Sequence, residues 1–234
     1  MAITSILVVL LVNVVSATLS VWAQGRNRID TFSSARQILD RIADEIKGAR
    51  ATPNQIEFSE NVTFPEGPTF VANTSENIFF VAPYPNISAG DLCVIAYRHN
   101  ATTHELQRAF KDSQAAWLPS AATRYRMAGY GFTASDWRTI ASGVLEFEVQ
   151  SYAQQDLDST ASPTPTSADS WKSESGGSTM IGNTPRQVKL RIKVVDDRTL
   201  VKLNLFAAGS AAYNQLVDRS AREFTANVAL LPPH

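Results

Sequence analysis

The sequence predicts an α+β protein in which a long N-terminal α-helix packs on a twisted antiparallel β-sheet domain. Met1–Ala23 contain no charged residue, no Gly and no Pro. Later segments alternate apolar and polar residues, which is typical of strands with one buried face. Between these parts, apolar residues recur at spacings of three and four, which places them on one face of a helix. This stripe consists of Phe32, Ala35, Leu39, Ile42, Ile46 and Ala49.

Three regions are therefore expected along the chain. Residues 1–25 form the uncharged half of the helix, residues 26–52 its amphipathic half, and residues 53–234 a β-rich domain. At 1.5 Å per residue, the first 23 residues span roughly 34 Å, which is enough to cross the hydrocarbon core of a bilayer. The first region is thus predicted to lie in a membrane or in the core of an assembly of such helices.

The helix is expected to run from about residue 2 to residue 50 and to end at Thr52-Pro53-Asn54. Two pairs of opposite charge four residues apart, Arg36/Asp40 and Arg41/Glu45, indicate an exposed helical face opposite the apolar stripe. Leu39, Ile42 and Ile46 are accordingly predicted to be buried against the sheet, and Arg36, Asp40 and Lys47 to be exposed.

The strands are predicted from alternation or from apolar runs bounded by turn residues. In chain order they are Gln55–Phe58, Asn77–Ala82, Asp91–His99, His104–Phe110, Gly143–Ala153, Gln187–Val195, Leu200–Phe206 and Glu223–Leu230. A turn at Asp196–Thr199 is expected to pair the sixth with the seventh. A short helix is predicted near Ala211–Arg222, and residues 111–142 are predicted to be mostly loop.

The segment 154–182 interrupts two of the best predicted strands. Sixteen of its 29 residues are Ser, Thr, Pro or Gly, a composition that buries too little apolar surface to offset the entropy of ordering. We interpret it as a mobile loop, with Trp171 as its candidate anchor.

Composition argues against several classes of function. The net charge of −1 gives no electrostatic basis for binding nucleic acid. His99, His104 and His234 lack the spacing of a zinc site, and none of the common catalytic or phosphate-binding motifs is found. The acidic pairs Asp196/Asp197 and Glu146/Glu148 are interpreted as a hairpin turn and the solvated face of a strand. The chain is therefore not expected to be an enzyme, and no cofactor, metal or small-molecule substrate is predicted.

Some other residue types have ordinary structural interpretations. Cys93, the single cysteine, lies in an apolar run and is expected to be a small buried hydrophobe. Arg124-Tyr125-Arg126 and Trp137-Arg138 are expected to cover a sheet edge rather than to bind a ligand. Four Asn-x-Ser/Thr sequons are candidate glycan acceptors in a secretory pathway: Asn61, Asn73, Asn86 and Asn100.

Three interpretations of the N-terminal segment remain open. It is a secretory signal cleaved near Val21-Trp22-Ala23, a plain membrane anchor, or an anchor that also packs in a filament core. The flanking Arg26 and Arg28 would keep the domain in the cytoplasm by the positive-inside rule, although its polar composition is typical of an exported domain. We therefore expect the natural protein to begin upstream of Met1, with a short basic leader.

The order of parts resembles the type IV pilin and pseudopilin family, in particular its larger minor members. These are the J-type minor pseudopilin of type II secretion, the W-type minor pilins and the Verru_Chthon cassette protein C. The resemblance is carried by MAITSILVVLLVNVVSATLSVW followed by FSSARQILDRIADEIKGAR, and by Asn77–Pro83, Ala141–Tyr152, Thr184–Asp197 and Arg222–Leu230. The family's leader peptide and its glutamate near the cleavage point are not present in this sequence.

The resemblance implies a structural subunit of a type IV pilus or a type II secretion-like filament. It implies storage as a single-pass protein of the inner membrane, with the globular domain in the periplasm or at the cell surface, followed by assembly with other pilin-like subunits. Ile6, Val9, Leu10 and Asn13 would then contact neighbouring helices, and Phe32, Leu39, Ile42 and Ile46 would seat the helix on its own sheet. The alternative is a monomeric, membrane-anchored periplasmic or surface binding domain.

Overall fold

The computed structural model describes residues 2–49, 58–60, 77–83, 92–112, 132–152, 170–171 and 185–230, without the side chains of residues 2–9, 24, 27, 59, 60, 170 and 171. The helices are α1 (Ala2–Lys47), α2 (Asp197–Leu203) and α3 (Ala211–Ser220), and Ala134–Asp136 form a 3-10 turn. The strands are β1 (Phe58–Glu60), β2 (Asn77–Ala82), β3 (Cys93–Asn100), β4 (Glu105–Lys111), β5 (Trp137–Ser142), β6 (Val144–Tyr152), β7 (Ser170–Trp171), β8 (Gln187–Val194) and β9 (Arg222–Ala229). The protein is α+β, as predicted.

The long N-terminal helix is confirmed, and it ends slightly earlier than expected. It comprises 46 residues and stops at Lys47. The next turn tightens, because the Ala49 N–H donates to the carbonyl oxygen of Ile46 at 2.8 Å. The helix end lies close to β2, since a Cβ atom added to Gly48 would be 3.5 Å from Cδ of Pro83 and 3.8 Å from Cβ of Ala82.

Two antiparallel sheets follow. The first has the strand order β5-β4-β3-β2-β1-β7, and the second has the order β6-β8-β9. In the first sheet Phe80 pairs with Ile95, and Tyr97 pairs with Arg108. The two sheets meet at Gly143, between β5 and β6. Gly143 has a φ of 71°, and a Cβ atom there would lie 2.4 Å from the Val195 carbonyl oxygen, so this connection requires glycine.

The main apolar core lies between α1 and both sheets. Ile42 of α1, Phe80 and Ile95 of the first sheet, and Leu190 and Ile192 of the second belong to the same buried cluster. The opposite face of the first sheet has its own cluster, which includes Phe79, Phe132 and Trp137. Burial on both faces explains why β2 and β3 read as continuous apolar runs rather than as alternating strands.

Most predicted strands are confirmed, with small shifts at their ends. Of the first predicted strand, Gln55–Phe58, only Phe58 lies within the described residues, and it begins β1. Cys93 is buried, as expected. The segment 111–142, predicted to be mostly loop, contains β5 at its end. Ser170–Trp171, inside the segment predicted to be a mobile loop, pair with β1 at the sheet edge. The rest of the segment 154–182 lies outside the described residues.

The predicted strand Leu200–Phe206 is wrong. Asp196 does not form a hairpin turn but caps α2: its Oδ1 accepts from the Thr199 N–H at 3.0 Å, and its Oδ2 from the Thr199 hydroxyl at 2.9 Å. An Asp that accepts from the third following N–H satisfies a helix start and thereby favours helix over strand. The chain therefore continues from β8 through α2 and α3 before it returns in β9.

Candidate functional site: the projecting helix and its seat on the domain

The first half of α1 projects from the domain as an exposed apolar rod. Between Leu10 and Trp22, eight large apolar side chains have exposed fractions of 47–68%. At 100° per residue they cover an arc of about 200° of the helix. The remaining arc carries small or polar residues, which are also exposed: Asn13, Ser16, Ala17 and Ser20. We call residues 10–23 the projecting segment.

The predicted assembly residues fall only partly within the description. Leu10 and Asn13 are exposed on the projecting segment. The side chains of Ile6 and Val9 lie outside the described residues. Two hydroxyls of this segment bond to their own helix, Thr18 Oγ1 to the Val14 carbonyl and Ser20 Oγ to the Ala17 carbonyl, each at 2.8 Å. Among the described residues, no helix has an apolar stretch of the length needed to cross a membrane.

The second half of α1 is seated on the sheets by its apolar stripe. Leu39, Ile42 and Ile46 are buried, as the three-and-four spacing predicts. Phe32 is half-buried, and its ring centroid lies 6.3 Å from that of Phe224 in β9. On the other side of the helix, the predicted exposed residues Arg36, Asp40 and Lys47 are exposed.

A buried polar cluster, which sequence patterns did not reveal, holds the same half of the helix to the first sheet. Arg108 donates from Nη2 to Oε1 of Glu45 at 3.0 Å and from Nε to Oε2 at 3.2 Å. The Tyr97 hydroxyl also donates to Oε2 of Glu45. Arg41 forms the predicted pair with Glu45 at 3.2 Å. The expectation that Glu45 lies on an exposed face is nevertheless wrong: its side chain is only 9% exposed, because it turns toward β3 and β4.

The electrostatics of this cluster keep its hydrogen bonds in one arrangement. Burial, followed by the neighbouring Glu45 carboxylate, raises the pKa of the Tyr97 phenol above its usual range, so the hydroxyl remains a donor. Burial lowers the pKa of Arg108, but Glu45 and Tyr97 more than offset this and the net pKa is raised. The bidentate geometry of Arg108 on Glu45 fixes the position of α1 along the sheet.

A second ion pair lies where α1 leaves the domain. Nε of Arg28 is 3.3 Å from Oδ2 of Asp196, the residue that caps α2. Burial would raise the pKa of Asp196, but the bonds from Thr199 and the charge of Arg28 lower it, and the net pKa is below its usual value. Arg28, which flanks the uncharged segment in the sequence, thus ties the helix to the end of the second sheet.

The outer face of the second sheet carries a network of charges. Nε of Arg191 donates to Oε2 of Glu148, and Nη1 lies 3.3 Å from Oε2 of Glu223. Nζ of Lys193 is 3.1 Å from Oε1 of Glu146. Glu146 and Glu148 therefore form cross-strand ion pairs on a partly solvated face of β6, in agreement with their interpretation as the solvated face of a strand. Exposed pairs of this kind contribute little to stability individually.

The described residues that are candidates for binding a metal or another ligand do not lie together in one site. Within the described ranges, no group of three or more His, Cys, Asp or Glu side chains is placed to hold a metal ion. Trp137 is nearly buried, and Arg98 stacks on its ring at 4.0 Å, so these residues cover the sheet.

Arg124-Tyr125-Arg126 and the sequons Asn61, Asn73 and Asn86 lie outside the described residues. Asn100 stabilises the β3–β4 turn by accepting from the N–H groups of Thr102 and Thr103.

Two histidines meet at the junction of the sheets. Nε2 of His99 lies 2.8 Å from the Val144 carbonyl oxygen, and because a carbonyl only accepts, this nitrogen carries the proton. The ring of His104 also bonds to the backbone of Val144, while its buried Nδ1 has no hydrogen-bond partner within the described part of the chain. Burial lowers the pKa of both rings from 6.5, although the hydrogen bond of each ring to Val144 acts in the opposite direction. The His104 ring lowers the pKa of His99 further, and Glu146 offsets part of this effect.

We expect the free energy of unfolding to fall as the pH is lowered from about 7.5 to 5. The unfolded chain takes up protons on these histidines below pH 6.5, whereas their lowered pKa values keep the folded rings neutral. Denaturant titrations across this range measure the effect, and His99→Gln should reduce the fall by about half, since one of the two groups is removed. The pKa values of the Asp136 and Asp196 carboxyls are lowered from 3.8, so these groups change the free energy of unfolding mainly at pH values below this range. An unchanged pH profile in His99→Gln would contradict this assignment.

Comparison of the chain with protein-family models, curated proteins and solved structures returned no match.

Proposed function

We propose that this protein is a minor pilin-like structural subunit that assembles through α1 into a type IV pilus or type II secretion-like filament. Before assembly it is stored as a single-pass protein of the inner membrane, with its domain in the periplasm or at the cell surface. Its partners are other pilin-like subunits. Its work is assembly, and no catalytic step is assigned to it.

The observation that supports this proposal best is the continuity of one helix through two environments. The projecting segment exposes eight large apolar side chains, and the sequence ahead of it, from Met1, adds no charge. An apolar surface of this extent on a soluble monomer marks a contact with lipid or with another protein. The same helix then enters the domain without a break, and its apolar stripe is buried among sheet residues from Ala35 onward.

The seat of the helix makes this arrangement suitable for a filament. The stripe and the Glu45 cluster hold the second half of α1, and the Arg28–Asp196 pair holds it where it leaves the domain. Because these contacts hold the helix in one position on the sheets, helices packed side by side would fix the positions of their domains. Small side chains on one arc, including Ser16 and Ser20, allow neighbouring helices to approach closely, as they do in membrane bundles.

Disulfide crosslinking of the full chain in lipid vesicles tests the proposal. With Val14→Cys we expect covalent dimers on oxidation, because exposed residues of the projecting segment pack together. Lys47→Cys, exposed at the other end of α1, is the matched control and should yield few dimers. Native Cys93 is buried and should not react.

A further variant separates assembly from anchoring. Val14→Lys places a charge on the packing surface and should abolish crosslinking from a cysteine at Leu10, because an unpaired charge between helices is costly in lipid. If Val14→Cys gives no more dimer than Lys47→Cys while the chain remains in the vesicles, the protein is a monomeric anchored domain and the proposal is wrong.

A further inference from the structure

Exposed apolar surface is concentrated in two places in this protein. Within the described ranges, twelve large apolar side chains are exposed, and nine of them lie on α1 between Leu10 and Ile29. The other three are Val201, Leu205 and Phe206, with exposed fractions of 65%, 78% and 43%. Val201 lies in α2, and the other two follow it in residues 204–210, which we call the α2–α3 connection. Single exposed apolar residues are ordinary, but a cluster separate from α1 indicates a contact surface.

Two contacts place this connection at the end of the domain from which α1 projects. Asp196, immediately before α2, pairs with Arg28. Phe224, near the start of β9 and just after α3, lies against Phe32. Both contacts are on the first turns of α1 that touch the domain. The chain therefore leaves and re-enters the second sheet at the level where the helix emerges, and α2, α3 and their connection lie at that end.

The sequence around the connection lacks charge. The fifteen residues from Leu203 to Val217 include no Asp, Glu, Lys or Arg, whereas Lys202 precedes them and Asp218 and Arg219 follow them directly. Lys202 and Arg219 are both exposed. The uncharged apolar tip suits the boundary of a phospholipid bilayer, where apolar side chains enter the acyl region and cations such as Lys202 and Arg219 stay among the headgroups. The exposed carboxylate of Asp218 offsets part of the positive charge at the second margin.

We propose that the α2–α3 connection is a second membrane contact, in which Leu205 and Phe206 insert into the surface of the bilayer that holds α1. This inference rests on the proposed function, because that bilayer is the one in which α1 is stored. A bilayer is favoured over a neighbouring subunit because the connection and the projecting segment share one end of the molecule. Two contacts on one lipid surface fix the tilt of the domain, and assembly then has to release the second contact as well as the first.

The test measures lipid contact at three positions of the full chain in phosphatidylethanolamine vesicles that contain a minor share of phosphatidylglycerol. Single cysteines at Val12, Leu205 and Ala229 carry an environment-sensitive NBD label, and the unsubstituted chain gives the background from buried Cys93. Ala229 is the control: it is exposed and pairs with Gln187, seven residues along β8 from Val194 and thus about 23 Å from the helix end of the sheet. Phe206→Cys is a second reporter of the connection.

Nitroxide-labelled lipids should quench the labels at Val12 and Leu205 at least about twofold and leave the label at Ala229 unchanged. Quenching at Val12 without quenching at Leu205 or Phe206 overturns this inference and leaves the proposed function standing. A label at Leu205 that is shielded from water, insensitive to nitroxide lipid and dependent on protein density also overturns it, in favour of a contact with another subunit. No quenching at Val12 refutes the membrane step of the proposed function, and this inference with it.

Discussion

Replacing Glu45 by Ala is expected to lower the free energy of unfolding by about 3 kcal/mol, because the guanidinium of Arg108 would remain buried without its carboxylate. Arg108 is 13% exposed, so some relaxation toward water is available and the loss falls at the lower end for buried pairs. Chemical denaturation of a chain shortened to residues 26–234 measures the change without interference from the projecting segment.

Two further variants identify the cause of that loss. Arg41 is the outer partner of Glu45, and its own side chain is 53% exposed. Arg41→Ala should therefore lower the free energy of unfolding by less than about 0.5 kcal/mol. Glu45→Leu combined with Arg108→Met replaces the ion pair by apolar side chains and should recover most of the stability. If the double variant is as unstable as Glu45→Ala, the buried charge is not the cause.

Replacing Leu39 by Ala is expected to cost about 2–4 kcal/mol in the same shortened chain, since a buried side chain is lost and a cavity remains. Leu39 lies in the cluster that joins α1 to both sheets, so the seat of the helix is weakened directly. Thermal and denaturant unfolding measure the effect.

The neighbouring residue provides the control for this variant. Asp40 is exposed on the opposite side of α1, and Asp40→Ala should change the free energy of unfolding by less than about 0.5 kcal/mol. A loss below about 0.5 kcal/mol for Leu39→Ala would mean that the stripe packs against another subunit rather than against its own domain.

Local patterns predicted the elements whose faces have different environments. The stripe of α1 and the alternation of β8 were recognisable because one face of each is buried and the other is in water. Strand β5 was missed because its burial does not alternate: Trp137 is buried at one end, while the middle of the strand is exposed. Leu200–Phe206 has the composition of a strand, but the Asp196 side chain accepts from the Thr199 N–H and so caps the first turn of a helix there.

The candidate site was predictable only in part, and for a similar reason. The exposed apolar half of α1 is a run of neighbours in sequence, so composition alone indicated it. The cluster that holds α1 joins Glu45 to Tyr97 and Arg108, which lie 52 and 63 residues away. No local pattern encodes such a pairing, because it depends on how β3 and β4 pass beneath the helix.

By itself, the sequence determined that an uncharged helical segment leads into an amphipathic one and then into a β-rich domain, because periodicity and charge are local properties of the chain. Tertiary structure alone decided how α1 is held and what its neighbours are. It turned Glu45 inward, paired Arg28 with Asp196, and brought the α2–α3 connection to the end where the helix emerges. These outcomes depend on the burial of side chains and the pairing of charges between segments far apart in the chain, which become neighbours only when the sheets close on the helix.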